Sequence, residues 1–253
     1  MLKHTMLSPA IIPPPFEWCE IPAGRVTLED GAGIFDVQPF FMAKYLITYE
    51  QFQAFVDDPQ GWKDSASWEG LAADAAHRKA PGKQYFTHEK NLPRENVSWY
   101  DAMAFCRWLT ARVGYEVRLP TEWEWQWAAQ GPDGREYPWG NGYTQGCANT
   151  DEKTSGIGSD SYLERTAPVG SYPRGASPYG ALDMSGNVWE WCLNEFDDPS
   201  RIGASGDVRR ALHGGSWGCL VSEARVGFRN THDAPYRSWH GGFRVAGFAP
   251  VRG

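Results

Sequence analysis

Glycine and proline interrupt this chain so often that long helices and broad sheets cannot be its main building material: 28 Gly and 18 Pro fall among 253 residues. Both residues punctuate regular structure, Gly by freeing the backbone and Pro by fixing φ and removing a donor. Such a chain needs large side chains to fill the space between its turns, and thirteen tryptophans supply them. Disordered chains are poor in aromatics, so the sequence describes a turn-rich globular protein pinned by rings. At this length it can bury a substantial core without disulfide or metal staples.

Regular patterning is helical and comes early. Thr48 and Gln51 form a capping box ahead of Tyr49, Phe52, Phe55 and Val56, which share one helical face. Ser98, with Asp101 three residues on, opens a second helix. Its stripe is Trp99, Ala102, Cys106, Leu109 and Val113, and Gly114 stops it. Thr121 and Glu124 open a short third helix ending by Gly131, with Trp123 and Trp127 expected to stack one turn apart. Glu122 and Glu124 belong to this helix start, where carboxylates are favourable, rather than to acid–base catalysis. Phe16 to Val37 alternates as a strand and hairpin, and residues 57–95 form a polar excursion. Beyond Tyr137-Pro138-Trp139-Gly140 only short strands are expected, at 166–175, 186–192, 208–217 and 242–248. No repeat or linker divides the chain. Residues 1–15 are expected to be a flexible N-terminal arm and 16–253 a single α+β domain with little regular secondary structure.

A net charge of −7 argues against nucleic acid as a partner, which needs a basic face. No apolar run is long enough to span a membrane. Met1 to Pro15 lacks the apolar core of a secretory signal. The cysteines (Cys19, Cys106, Cys147, Cys192 and Cys219) are odd in number, scattered and never spaced CxxC, which predicts reduced, buried thiols in a cytoplasmic protein. A monomer is expected. No GxSxG elbow or Walker loop is present.

Several blocks, in order, carry a resemblance. They are EIPAG from Glu20, ITYEQFQAFV from Ile47, VSWYDAMAFCRWL from Val97, RLPTEWEWQWAA from Arg118 and YPWGN from Tyr137. MSGNVWEW from Met184, HGGSW from His213 and GFRVA from Gly242 follow. Over about residues 16–248 the chain is similar to the sulfatase-modifying-factor family of formylglycine-generating enzymes. The resemblance implies a C-type-lectin-like fold and admits three kinds of activity: copper-dependent formylglycine formation, iron-dependent sulfoxide synthesis, and ligand display by variable proteins of diversity-generating retroelements.

In the oxidases two cysteines after the GGS block hold copper(I), as soft thiolates suit it. Cys219 meets the first position, but Ala224 stands at the second. The iron enzymes carry a separate helical His-bearing domain, for which the chain has no room. No pair of its histidines shows HxxxH or HxxxE spacing on a helix. The expectation is therefore a protein that is not an enzyme, needs no copper, and binds an unknown protein or other macromolecule. The alternative is a formylglycine-generating-type oxidoreductase, or a degenerate relative, using Cys219.

The resemblance places the binding surface between GGSW and GFR. Arg225, Arg229 and Arg237 are its frame. The expected ligand-binding residues are Gly218, Cys219, Leu220, Glu223, Phe228, Asn230, Thr231, His232, Tyr236, Ser238, Trp239 and His240, a mixture like that of antibody paratopes. It also implies calcium held by Asp183, the main-chain carbonyls of Gly186 and Val188, and Glu190. In an extended segment, residues 186, 188 and 190 would face the ion while Trp189 and Trp191 face the core. A second site would use Asn149, the Thr150 carbonyl and an acidic residue near Asp160.

Overall fold

The computed structural model describes residues 11–86, 89–158, 162–204, 206 and 208–248. Strands β1 (Trp18–Ile21), β2 (Gly24–Leu28), β3 (Gly33–Val37) and β4 (Phe40–Ala43) come first. Helices α1 (Tyr49–Asp57), α2 (Ala75–Arg78) and α3 (Trp99–Val113) follow, then β5 (Glu116–Arg118) and α4 (Glu122–Gln130). The second half holds β6 (Trp189–Glu195), β7 (Arg209–His213), β8 (Asn230–Asp233), β9 (Gly241–Gly242) and β10 (Ala246–Phe248). They assemble as the sheet β1-β4-β10-β5, the hairpin β2-β3, and the sheet β8-β7-β6-β9.

All three expected capping boxes form, at Thr48/Gln51, Ser98/Asp101 and Thr121/Glu124. Gly114 closes α3 at φ 76°, a conformation that costs other residues a Cβ clash. The aromatic filling is also present. Phe52, Phe55, Phe105, Trp108 and Phe243 meet edge-on or stacked between α1, α3 and the strand that follows GFR.

Four details differ from expectation. The last residues of the supposed arm are fixed: Ile12 is buried, and the Gln51 amide donates to the carbonyls of Pro13 and Pro15. Residues 1–10 lie outside the described residues. Trp123 stacks on Phe35 at 4.4 Å instead of on Trp127, whose indole leans toward Tyr179 and donates to the Pro22 carbonyl. Residues 166–175 form turns and a single 3-10 turn rather than a strand. Gly186 and Asn187 both have positive φ, so the extended segment begins only at Trp189.

Candidate functional site

The β8-β7-β6-β9 sheet has two unlike faces. Register places Trp191 opposite Leu212, and Leu212 opposite Asn230, so one row of side chains crosses three strands on the same face. Alternation adds Trp189 and His232 to that face. Above it lies a cavity of about 300 Å3, half open to solvent and bordered by the irregular stretches on either side of β8, within residues 216–241. Ser216, Gly218, Cys219, Glu223, Tyr236, Ser238, His240 and Gly241 line it from there, with Val97 at its edge.

The opposite face carries buried charge. Glu190 faces His213 across the strand pair, and its carboxylate is held by Arg244 at 2.6 and 2.8 Å and by the Trp125 indole at 2.8 Å. Beside it the fully buried Glu122 accepts two hydrogen bonds from Arg229, both 3.0 Å, one from Asn194 at 3.0 Å, and sits 3.2 Å from His213 Nε2. Burial alone would raise the Glu122 pKa. Contacts with His213 and Arg229 outweigh it and hold the carboxyl below its ordinary value.

These pairs fix the cavity wall. Arg229 leads into β8, and Arg237 sits between the lining residues Tyr236 and Ser238. Arg237 donates to both oxygens of the buried Asp101, at 2.7 and 2.8 Å, with His77 wedged against the same carboxylate. Arg225 pairs with Glu29 near the surface. The frame arginines are thus anchored to carboxylates on earlier elements.

Among the expected binding residues, Gly218, Cys219, Glu223, Asn230, His232, Tyr236, Ser238 and His240 come together around the cavity. Leu220 and Trp239 point to solvent, Phe228 packs behind Trp189, and Thr231 alternates away from its neighbours on β8. Trp189, Trp191, Leu212, Ser216, Val97 and Gly241 were not foreseen. The two tryptophans had been assigned to the core, and they are indeed buried, but they also floor the cavity. The signal was available in the alternation of VWEW and of RRALH.

The lining is chemically mixed. His232 stacks on Tyr236 at 3.6 Å, and His240 stacks on Trp217 at 4.5 Å while its Nδ1 lies 3.1 Å from the Ser216 hydroxyl. Burial lowers the pKa of both imidazoles, so both are neutral at pH 7. A Cβ on Gly218 would come within 2.7 Å of the His240 ring, so a larger residue there would displace that ring. Cys219 is buried and its thiol is pushed up to about 12, because desolvation outweighs the hydrogen bond from the Ser216 amide. It is a thiol, not a thiolate.

Of the three metals the resemblance raises, copper and calcium would be held by residues of this domain. A Cβ placed on Gly215 would meet both the Cys219 sulfur, at 2.7 Å, and Ala224, at 3.1 Å. The two positions are neighbours, but they bring one sulfur, so a two-thiolate copper centre does not fit. For calcium the expected ligand Glu190 is corrected: both its oxygens are consumed by Arg244 and Trp125. Gly186 and Asn187 have positive φ, so the extended stretch expected from 186 to 190 begins only at Trp189. Asp183 sits at φ 57° and accepts from the Gly170 amide, and burial raises its carboxyl to about 6. The Thr150 carbonyl accepts the Glu152 amide at 2.9 Å, whereas Asn149 keeps a buried Oδ1 without a partner beside Gly186. Asp160 lies outside the described residues. Among the described residues no three His, Cys, Asp or Glu side chains are grouped to hold an ion. Nor, among them, is any helix long and apolar enough to cross a membrane.

Residues 17–248 match the family described as the sulfatase-modifying factor enzyme 1-like domain. The chain is 31% identical over 250 residues to a hercynine oxygenase of Mycolicibacterium thermoresistibile, covering 86% of this chain and 53% of that protein. It is 32% identical over 271 residues to the formylglycine-generating enzyme of Thermomonospora curvata, covering 86% of each. Treponema denticola variable protein 1 shares the fold, with a TM-score of 0.66 at 23% identity over 92% of this chain and 95% of that structure. The fold is thus the C-type-lectin-like, formylglycine-generating type expected. The expectation of a chain that is not an enzyme is corrected: the relatives at 31% and 32% identity bear the names of enzymes, while the likeness to the variable protein is one of fold. The chain spans about half the length of the hercynine oxygenases it matches.

Proposed function

We propose, from the premise that this chain belongs to the sulfatase-modifying factor enzyme 1-like domain family, that it is the substrate-binding domain of an oxidoreductase. The observation that carries this reading is the cavity on the β6–β8 face. It has two indoles as a floor, neutral imidazoles and a thiol on its walls, and long-range ion pairs holding those walls in place. Pre-positioned polar groups beside apolar rings in one concavity are what a small-molecule site requires. The volume suits a small substrate rather than a folded protein.

A two-thiolate copper centre does not fit the side chains of the described residues, so no redox step is routed through one. The chain's own part is to bind, orient and dry the substrate. A flat heterocycle would lie along Trp189 and Trp191. His232, neutral, would offer a donor and an acceptor to its ring nitrogens, and His240, whose Nδ1 is engaged by Ser216, would offer Nε2. The thiol of Cys219 stays protonated against that wall and is not a nucleophile at pH 7. The 31% identity to a hercynine oxygenase supports hercynine as the first substrate to try. The likeness to a formylglycine-generating enzyme makes a cysteine peptide from a sulfatase the second.

Calorimetric titration with both compounds tests the proposal. Hercynine should bind, and Tyr236→Ala should weaken it about tenfold by removing an exposed wall of the cavity and the ring that stacks on His232. Binding of neither compound would sink the proposal, as would binding that ignores Tyr236.

A further inference from the structure

A second cavity, of about 490 Å3, shares no lining residue with the first. It lies where β2, α4 and the loops carrying Arg135 and Arg225 meet, and the Val226 amide ties those loops by donating to the Glu136 carbonyl at 2.9 Å. Its lining is charged rather than aromatic. Arg25, Arg135 and Arg225 stand there with Glu29 and Glu136, so the lining is positive by one on a chain whose net charge is −7. The cations are held in place. Arg225 pairs with Glu29 at 2.8 Å, Arg135 with Asp133 at 2.6 and 2.9 Å, and Arg25 with Asp36 at 3.0 Å. Gly227 leaves room for the first of these pairs, since a Cβ there would come within 2.4 Å of a Glu29 oxygen.

The cavity also has an acceptor that no donor meets. Gln126, in its wall, is 4% exposed, and its amide nitrogen donates to the Thr27 carbonyl at 3.1 Å and to Gln130 at 2.9 Å. A main-chain carbonyl can only accept, so the nitrogen must face Thr27 and the orientation of the amide is settled. The Gln126 oxygen is then left buried without a partner. Such an acceptor is costly to leave unmet, and a ligand N–H would meet it. We infer that this cavity binds an acylamino carboxylate, the group that ends a peptide chain, with its amide N–H on Gln126 and its carboxylate among the guanidiniums. Guanidinium forks match the two oxygens of a carboxylate. A single negative charge balances the lining, whereas a phosphate dianion would stand in excess beside Glu29 and Glu136. The volume has room for more than a terminal residue, which favours a peptide over a free acylamino acid.

Acetyl-Ala-Ala-Gly is the probe, titrated into 15N-labelled protein and followed by the side-chain amide resonances, with Gln126→Met assigning one of them. The peptide should shift the Gln126 and Gln130 amides saturably. Its carboxamide, which lacks the charge, should bind at least about tenfold more weakly. The same peptide ending in sarcosine, which lacks the last N–H, should bind about fivefold more weakly. Gln126→Met should cost the parent peptide as much as the sarcosine ending does, and the two changes together should cost no more than either alone. Arg25→Ala, at an exposed position, should weaken the peptide about fivefold with Tm within ~2 °C of the wild type. Equal binding of the carboxamide, indifference to the sarcosine ending or to Arg25, additive losses in the paired changes, or no saturable shift up to about 10 mM would each overturn the site. Acetylglycine carries the same two groups and should bind at least about threefold more weakly than the peptide; equal binding would replace the peptide by a free acylamino acid and overturn that assignment.

Discussion

Removing Arg229 should cost far more than removing Arg225, although both are arginines of one segment paired with glutamates. Arg229 is almost wholly buried, and its partner Glu122 is entirely so. Truncation to alanine leaves that carboxylate with only Asn194 and His213, inside the protein. Breaking a buried pair from one side costs about 3–5 kcal/mol, because the remaining charge is uncompensated. For a protein of this size each kcal/mol moves Tm by about 2–4 °C, so Arg229→Ala should melt roughly 6–20 °C lower. Arg225 and Glu29 have side chains 30% and 40% exposed, so Arg225→Ala should cost about 0–1 kcal/mol and at most ~4 °C. The pH dependence has a definite sign. The Glu122 pKa is depressed in the folded wild type, so its contribution is present above the ordinary carboxylate range and is lost as pH falls through the lowered value. Without Arg229, burial pushes the carboxyl up and it takes its proton earlier. The deficit of the variant should therefore be widest near pH 7 and narrow below about pH 5. Glu122→Gln in the Arg229→Ala background should recover part of the loss. Urea melts at both pH values, with unchanged m, provide the measurement. Equal losses for the two arginines, or a deficit that widens in acid, would refute the reasoning.

Three further outcomes are expected. Asp183→Asn keeps the acceptor for the Gly170 amide and tolerates the positive φ. With the carboxyl raised to about 6, it should stabilise the protein by about 3 kcal/mol at pH 8 and by much less at pH 4.5; scanning calorimetry at the two pH values decides it. Cys219 should react with iodoacetamide at pH 8 at least ~100-fold more slowly in the native state than in urea, read by peptide mass mapping, and a fast native reaction would contradict its burial. Calcium added to chelator-treated protein should raise Tm through the open Asn149 oxygen, and Asn149→Ala should remove the rise; no response in the wild type would discard Asn149 as a donor.

The elements that could be read from sequence are those whose causes are local. The capping boxes at Thr48, Ser98 and Thr121 need only a side chain and an amide three residues away, and all form. The cavity residues of the 216–240 segment were visible because the resemblance marked the segment. Its floor was not, because Trp189 and Trp191 satisfy two roles, and composition cannot distinguish a buried indole from one that also borders a void. The calcium expectation departs from the structure at its backbone. It assumed an extended chain from 186 to 190, but Asn187 turns left-handed and uses its amide group in place of a backbone unit, accepting from the Ala167 N–H and donating to the Ala167 carbonyl. Glu190 was then claimed by Arg244, 54 residues away, a partner that no local pattern announces.

The anchoring of the cavity wall sets the order in which this protein can assemble. Arg229, Arg237 and Arg225 reach back 107, 136 and 196 residues to Glu122, Asp101 and Glu29. Closing loops of that length must precede any gain from the contacts, which makes them slow. On the ribosome the helices carrying Asp101 and Glu122 emerge long before the segment that needs them, so the early half can wait as a template. The cavity is then the last part of the molecule to take shape, and its ligand can engage only a chain that has already finished folding.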